Sequence, residues 1–437
     1  MLGLPPKSAP KPGIAGTALS TPNFVLLFAA MLVAAAGNTA LQSVMPAIGR
    51  EIGIADLWVA LAYTWSAVLW VLFAPFWAAK SDRHGRKPLI LLGLGGFIVS
   101  MTLCGAVLVA GLNGAIGGVA TFAIFAVFRA IYGSLGCATP SATQAYLASR
   151  TRRSSRVTAL SALASSFGLG TILGPAVAPL FVLPGIGLPG PLFAFALIGA
   201  ATFGAILAWL PDDKQPRHGR RAGRGAAMSY PSIASPVTGA SVVAATSPHS
   251  AAPVKWRDSR IRRWVIAGVV SGHAQAASLT CIGFYVIDRL RIAPSGSEGP
   301  ISIVMMAGAG AGLAAQWGLI PKLALGPRAL LLWGTLIAAV GLGMIAVAGD
   351  LYGLVLGFAV SSLGFGFTRP GFTAGSSLAV SLAEQGSVAG VITAANGISF
   401  VAAPAIGMLL YGLDPRLPFA LSAALLVLLA FWVRSRL

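Results

Sequence analysis

The stretch AAKSDRHGRKPLIL, residues 78–91, gathers Lys80, Asp82, Arg83, His84, Arg86 and Lys87 into one short segment flanked on both sides by long apolar runs. Only 9% of the 437 residues are charged and 56% are hydrophobic, with a mean hydropathy of +0.83. A soluble chain of this composition would leave much of its apolar surface in water. A bilayer core of ~30 Å needs ~20 apolar residues per helix, whereas the other spanning architecture, a closed barrel, shows alternating strands of ~10 residues. The runs here are long and continuous. The expected fold class is therefore all-α integral membrane, with the charged stretch as a loop between two spans.

Twelve such runs follow from the hydropathy pattern: residues 23–47, 57–79, 89–111, 117–148, 157–183, 189–210, 262–288, 299–320, 328–349, 351–376, 387–412 and 416–434. An even number puts both termini on one face. With that face in the cytoplasm, Arg50, Arg289, Arg291 and Arg416 lie outside, Arg129 lies within a span, and the other Lys and Arg lie in inside segments. This asymmetry predicts a multi-pass protein of the inner (plasma) membrane with both termini cytoplasmic. Residues 1–22, rich in Pro, Ser, Thr and Gly, are expected to form a disordered cytoplasmic tail. Residues 23–210 and 262–434 form two six-helix bundles, joined by a cytoplasmic linker, 211–261, that carries RHGRRAGR and KWRDSRIRR. The net charge of +19 sits between apolar runs and not on a folded basic domain, so the expected partner is the lipid bilayer and not nucleic acid. Cys104, Cys137 and Cys281 fall within apolar runs at neither disulfide nor metal-ligand spacing, and read as packing residues.

The two bundles carry an internal repeat. YGSLGCATPSATQAYLAS (132–149) aligns with LGFGFTRPGFTAGSSLAV (363–380), and SSFGLGTILGPAVAP (165–179) with ANGISFVAAPAIGML (395–409). Pro140 pairs with Pro370 and Pro175 with Pro404 at nearly the same offset, which implies a duplicated six-helix unit in parallel topology.

Twelve spans, a central loop and a duplicated half resemble the major facilitator superfamily, specifically its twelve-helix drug:proton antiporter branch. The family's loop between helices two and three reads G-x-L-A-D-R-x-G-R-K; here Asp82, Arg83, Gly85, Arg86 and Lys87 match, while Ala78 and Lys80 depart. In FRAIYGSLGCATP, Arg129, Gly133, Gly136 and Pro140 resemble the helix-four motif, with Tyr132 in place of Gln. GTILGPAVAP in helix five resembles the antiporter signature through Gly170, Gly174 and Pro175, although Ala178 and Pro179 replace its closing glycines. AAQWGLIPKLALGPRALLLWG (314–334) is similar to a worn second copy of the first signature. The resemblance implies alternating access, export, and a gating role for the first signature.

On chemical grounds, positive-inside topology accounts for the cations of residues 78–91 but not for Asp82 or Gly85. Asp82, Arg83, Gly85, Arg86 and Lys87 are therefore candidates for a conformational latch that forms in the outward-facing state. Arg129, midway along helix four, carries a charge that costs at least ~2.5 kcal/mol in a bilayer, and is a candidate for coupling or substrate recognition. All Asp and Glu residues lie outside the middle of the spans. His273 in VSGHAQAAS is then the candidate proton carrier, being the side chain that titrates nearest neutrality. Asn38, Gln42, Trp65, Gln144, Tyr146, Gln275 and Asn396 are candidate cavity-lining residues, and Gly170, Gly174, Pro175 and Pro404 candidate helix-bending residues. No nucleotide loop, metal cluster or catalytic triad is apparent, so no enzyme, cofactor or metal is expected. The expected function is a monomeric secondary transporter that exports a small amphiphilic solute by proton antiport. An organic-anion:proton symporter of the same fold and a non-transporting membrane sensor are the alternatives. A cavity without a visible acid is expected to favour carboxylate-bearing or neutral amphiphiles over cations.

Overall fold

The computed structural model describes residues 21–151, 156–212, 254–381 and 384–436. Most of the expected N-terminal tail and most of the central linker lie outside the described residues. Among the described residues, eleven helices are long and apolar enough to cross a membrane: α1 (Thr21–Glu51), α2 (Asp56–His84), α3 (Lys87–Leu112), α4 (Gly118–Ser149), α6 (Gly190–Trp209), α7 (Ser259–Leu290), α8 (Glu298–Leu323), α9 (Pro327–Val347), α10 (Leu351–Leu378), α11 (Gln385–Leu413) and α12 (Leu417–Arg436). Helix α5 (Arg156–Val177) is the twelfth element of the series and ends in a 3₁₀ turn, Ala178–Phe181. The boundaries fall within a few residues of the apolar runs, and several are marked by residues suited to helix ends. Pro88, Pro191 and Pro327 occupy first turns, where a missing N–H costs nothing. Asp258 and Asp350 cap α7 and α10 by accepting from the Arg260 and Gly353 amides at 3.0 and 2.7 Å.

Large apolar side chains such as Leu72, Leu197, Trp209, Leu356, Leu428 and Phe431 are exposed on the outside of the bundle, as a lipid-facing surface requires. Inside, backbones approach closely wherever glycine removes the Cβ. A Cβ on Gly174 of α5 would lie 2.3 Å from the Ala36 carbonyl oxygen of α1, and one on Gly170 would lie 2.7 Å from that of Leu32. Thr39 bridges the same contact, its hydroxyl donating to the Gly170 carbonyl at 3.3 Å. Gly341 and Gly364 seat α9 against α10 in the same way. Gly170 and Gly174, expected to bend α5, both lie where α5 packs against α1. Pro175 stands two residues before the end of α5, and Pro404 lies within α11, where it denies the Phe400 carbonyl its helical donor.

Helices α4 and α8 each contain a π-turn, Tyr132–Gly136 and Ala314–Leu319. Around the first, carbonyls are taken up by side chains of neighbouring helices. The Trp77 indole donates to Ser134 O at 2.6 Å, and the Ser100 hydroxyl to Phe128 O at 2.9 Å. This is how an irregular turn survives at membrane depth.

On the face carrying the chain termini, Arg260 holds both Asp258 (2.8 Å) and Glu384 (2.9 Å), joining the starts of α7 and α11. Arg260 and the Ser381 hydroxyl and amide hold the Glu384 carboxyl down to about 2. A depressed carboxylate contributes stability above its unfolded value of 4.5 that is lost only as pH falls through about 2, so this clamp stays closed at any neutral pH. Glu384→Gln is accordingly expected to lower the melting temperature slightly and equally at about pH 6 and pH 8, because the pair is solvent-screened. Gly174→Val is expected to cost about 3 kcal/mol or more in thermal unfolding of the detergent-solubilised protein, since backbone atoms must move. Gly343→Ala, whose Cβ meets nothing within 4 Å, is expected to be neutral in the same assay.

Candidate functional site

Opposite the termini, the end of α1 meets the start of α2 and the end of α7. Arg50 presents its guanidinium to two carboxylates at once. It donates to Asp56 from Nε at 3.1 Å and Nη2 at 2.7 Å, and to Asp288 from Nη2 at 2.9 Å and from Nη1. The Tyr411 hydroxyl of α11 donates to Asp288 Oδ2 at 2.5 Å, and the Arg50 guanidinium lies 5.6 Å from the centre of the Phe284 ring. Beneath this cluster, a Cβ on Gly283 of α7 would lie 2.5 Å from Pro46 of α1. Helices α1–α6 and α7–α12 are therefore tied on this far face by an ion pair over a tight apolar contact. The hydropathy pattern places Arg50 outside the spans and Asp56 and Asp288 outside their middles, and their positions at helix ends are the one signal the sequence offers for this cluster.

Two adjoining cavities lie within the helical bundle. The first is walled by α1, α2, α7, α8 and α11 and is mainly apolar, with Met45, Val59, Phe284, Met305 and Phe400 around Gln42 and Tyr63. The Gln42 Oε1 atom is buried and has no hydrogen-bond partner among the described residues. The second cavity lies among α5, α7, α8 and α10 and is polar, lined by Thr171, Gln275, Ser278, Gln316, Ser361 and Arg369 among others. Leu279 belongs to both walls. Both cavities are narrow in this conformation, with volumes of about 30 Å³ for the polar and about 60 Å³ for the apolar one.

Arg369 is the residue that sequence reasoning missed. It had been grouped with the inside segments, yet it falls within the tenth apolar run. The structure buries it to 5% exposure in α10, on the wall of the polar cavity. Arg129, the intramembrane arginine the sequence did single out, stands behind the wall of the apolar cavity. Fully buried, it donates from Nη2 to Asn38 Oδ1 and stacks 4.6 Å from the Tyr132 ring centre and 6.0 Å from that of Tyr63. The structure thus brings Arg129 and Asn38 together, with Tyr63 between the guanidinium and the cavity.

The other expected residues are dispersed. His273 Nδ1 lies 2.8 Å from the Val269 carbonyl of its own helix and 3.2 Å from the Ser399 hydroxyl of α11, in the α7–α11 interface and away from Arg129's partners. Gln42 and Gln275 line the apolar and the polar cavity respectively. Gln144 and Asn396 are buried elsewhere. Trp65 is 48% exposed on the bundle surface, because its helical register turns it away from the face that carries Tyr63. Tyr146 is closed off by its own contacts, donating to the Pro211 carbonyl at 2.9 Å under the Arg150 guanidinium at 3.9 Å.

In residues 78–91, Gly85 takes φ +87°, a left-handed value suited to glycine at the sharp passage from α2 to α3. Arg86 is buried. Lys87 donates to the Leu207 carbonyl at 3.0 Å and pairs with Asp212 at 3.2 Å, fastening the start of α3 to the end of α6. Lys80 sits over the Phe76 and Trp77 rings. The side chains of Asp82 and Arg83 lie outside the described residues.

Residues 27–323 match the Major Facilitator Superfamily. Among curated proteins, the chain is 29% identical over 161 residues to the tetracycline resistance protein, class B, of Escherichia coli, covering 35% of this chain and 34% of that protein. It is 27% identical over 183 residues to the class G tetracycline resistance protein of Vibrio anguillarum, covering 39% of this chain and 40% of that one. These matches span little more than a third of the relatives' length. Among solved structures, the fold is similar to the human organic anion transporter MFSD10 (TETRAN), with a TM-score of 0.64 at 20% identity over 94% of this chain and 99% of that one. It is also similar to a bacterial homologue of the iron transporter ferroportin in its inward-facing state, with a TM-score of 0.67 at 15% identity over 94% and 98% of the two chains. The chain belongs to the Major Facilitator Superfamily and is a multi-pass integral membrane protein.

Proposed function

We propose that this protein is a monomeric exporter that moves a small amphiphilic solute out across the inner membrane in exchange for protons, by alternating access. The observation that carries the reading is the Arg50–Asp56–Asp288–Tyr411 cluster closing the far face over two cavities. With the termini in the cytoplasm, that face is the outer one, and the cluster must open for solute to leave. The likeness of part of the chain to tetracycline resistance proteins supports export.

The mechanism follows from where charge stands. Asp288 and Asp56 together offset the single Arg50 cation, so protonating Asp288 from outside weakens the tie between α1 and α7. His273, hydrogen-bonded across to α11, is the proton carrier within the membrane, on the same helix that presents Gln275 and Leu279 to the cavities. Arg129, held by Asn38 and the Tyr132 face, supplies a fixed positive field behind the cavity wall. At the opposite face the signature stretch, Asp82 to Lys87, governs closure through the junction of α2, α3 and α6. The same cavities suit a second reading, import of an organic anion with protons, because Arg369 lines one of them.

Proteoliposomes with an imposed pH gradient separate the two readings by the direction of solute flux. Export driven by inward proton flow is expected, and accumulation in the direction of proton flow would replace it with the symport reading. Asp288→Asn, which mimics the protonated carboxyl, is expected to raise external maleimide labelling of Gln42→Cys several-fold in a cysteine-free background; unchanged labelling would dismiss the cluster as a gate. His273→Asn is expected to abolish gradient-driven accumulation while leaving solute counterflow within about twofold of wild type.

A further inference from the structure

We propose that the polar cavity around Arg369 is a carboxylate subsite, and that the solute lies with its anionic head there and its apolar body in the adjoining cavity past Leu279. The inference deepens the transport reading and rests on it for the word solute, but its chemistry stands on the cavity itself. A guanidinium is costly at membrane depth unless charge or hydrogen bonding compensates it. Arg369 is 5% exposed and lines a space whose described lining includes no Asp or Glu.

Three hydroxyls of the wall are already committed as donors within their own helices and leave recognition to other donors. Thr171 donates its hydroxyl hydrogen to the Gly168 carbonyl at 2.7 Å, Ser278 to that of Gln275 at 2.9 Å, and Ser361 to that of Phe358 at 3.0 Å. The same wall carries the side-chain amides of Gln275 and Gln316 and the Ser362 hydroxyl beside the Arg369 guanidinium. That guanidinium has five N–H groups, enough to hold protein neighbours and a ligand oxygen together. Its planar fork matches a carboxylate in two-point geometry, which a cation or a neutral amide cannot reproduce.

The site is also rigidly mounted. Gly364 and Gly371 flank Arg369 on α10, and a Cβ on either would lie within 3.0 Å of α9 backbone atoms, so the helix segment carrying the arginine cannot drift. Gln316 stands in the π-turn of α8, and Gly366 of α10 fits against Ala315 of that turn. Across Leu279 the wall becomes Met45, Val59, Phe284 and Phe400, with Gln42, Tyr63 and Thr280 as its polar members. A solute that spans both cavities is therefore an amphiphile with one carboxylate and an aromatic or aliphatic body.

Binding to the full-length protein in nanodiscs tests this without any gradient, using 2-naphthylacetate, its neutral amide and a naphthylmethyl-trimethylammonium salt as probes. Wild type is expected to bind the carboxylate about tenfold or more tightly than the amide, and the cation least. Arg369→Gln is expected to bring carboxylate and amide within about twofold of each other, and Arg369→Lys to retain part of the preference. Should Arg369→Gln not fold, Gln316→Leu and Gln275→Leu, which keep the arginine, are each expected to weaken carboxylate binding several-fold with little change for the amide. Equal affinity of wild type for all three probes, or a carboxylate preference that survives these variants, would overturn the subsite. Flux under a pH gradient is scored separately: a carboxylate preference without proton-driven transport keeps the subsite and removes the exporter reading, and transport without the preference does the reverse.

Discussion

The cost of holding a guanidinium in an apolar medium organises this protein. Three arginines meet it in three ways. Arg129 is enclosed by neutral groups, the Asn38 amide and the faces of Tyr132 and Tyr63, and its charge is spread over hydrogen bonding and ring quadrupoles. Arg50 is carried to the end of α1, where two carboxylates and a tyrosine close around it. Arg369 stands on a cavity wall among hydroxyls and amides. The interior, the far face and the polar cavity each owe their composition to one of these solutions.

Glycine contacts differ within and between the two helix groups. Within α1–α6 and within α7–α12, some missing Cβ atoms are opposed by backbone, as Gly174 by Ala36, Gly364 by Ala338 and Gly407 by Ala277, and others by side chains, as Gly37 by Phe97 and Gly308 by Phe358. Between the two groups they are opposed by side-chain atoms: Gly168 by Leu313, Gly283 by Pro46, Gly397 by Val71. Backbone-to-backbone contact does not yield, whereas a Leu or Val end can turn aside. Unyielding glycine-to-backbone contacts thus occur inside each group, while the seam contacts of Gly168, Gly283 and Gly397 are of the yielding kind, which suits one group rocking against the other around a fixed cavity.

Much of the fold was legible because hydropathy in a bilayer is a one-dimensional signal. Runs, boundaries, the duplicated prolines and the signature loop are all local, and the helices fall where the apolar runs end. The site was legible only in part. Gln42 and Gln275 were singled out from depth and do line cavities, but Trp65, chosen by the same criterion, faces outward. Depth specifies how far along a helix a residue stands and not which way it turns.

The sequence by itself determined that the chain spans a membrane as a long series of apolar helices, because transfer of each segment into lipid depends on its own composition. Only the tertiary structure decided that Arg50 joins Asp288 across the far face, that Arg129 rests on Asn38, and that Arg369 opens onto a cavity. Those outcomes depend on the rotation and approach of helices far apart in sequence. Close packing of glycine and backbone sets both, and no single segment encodes them.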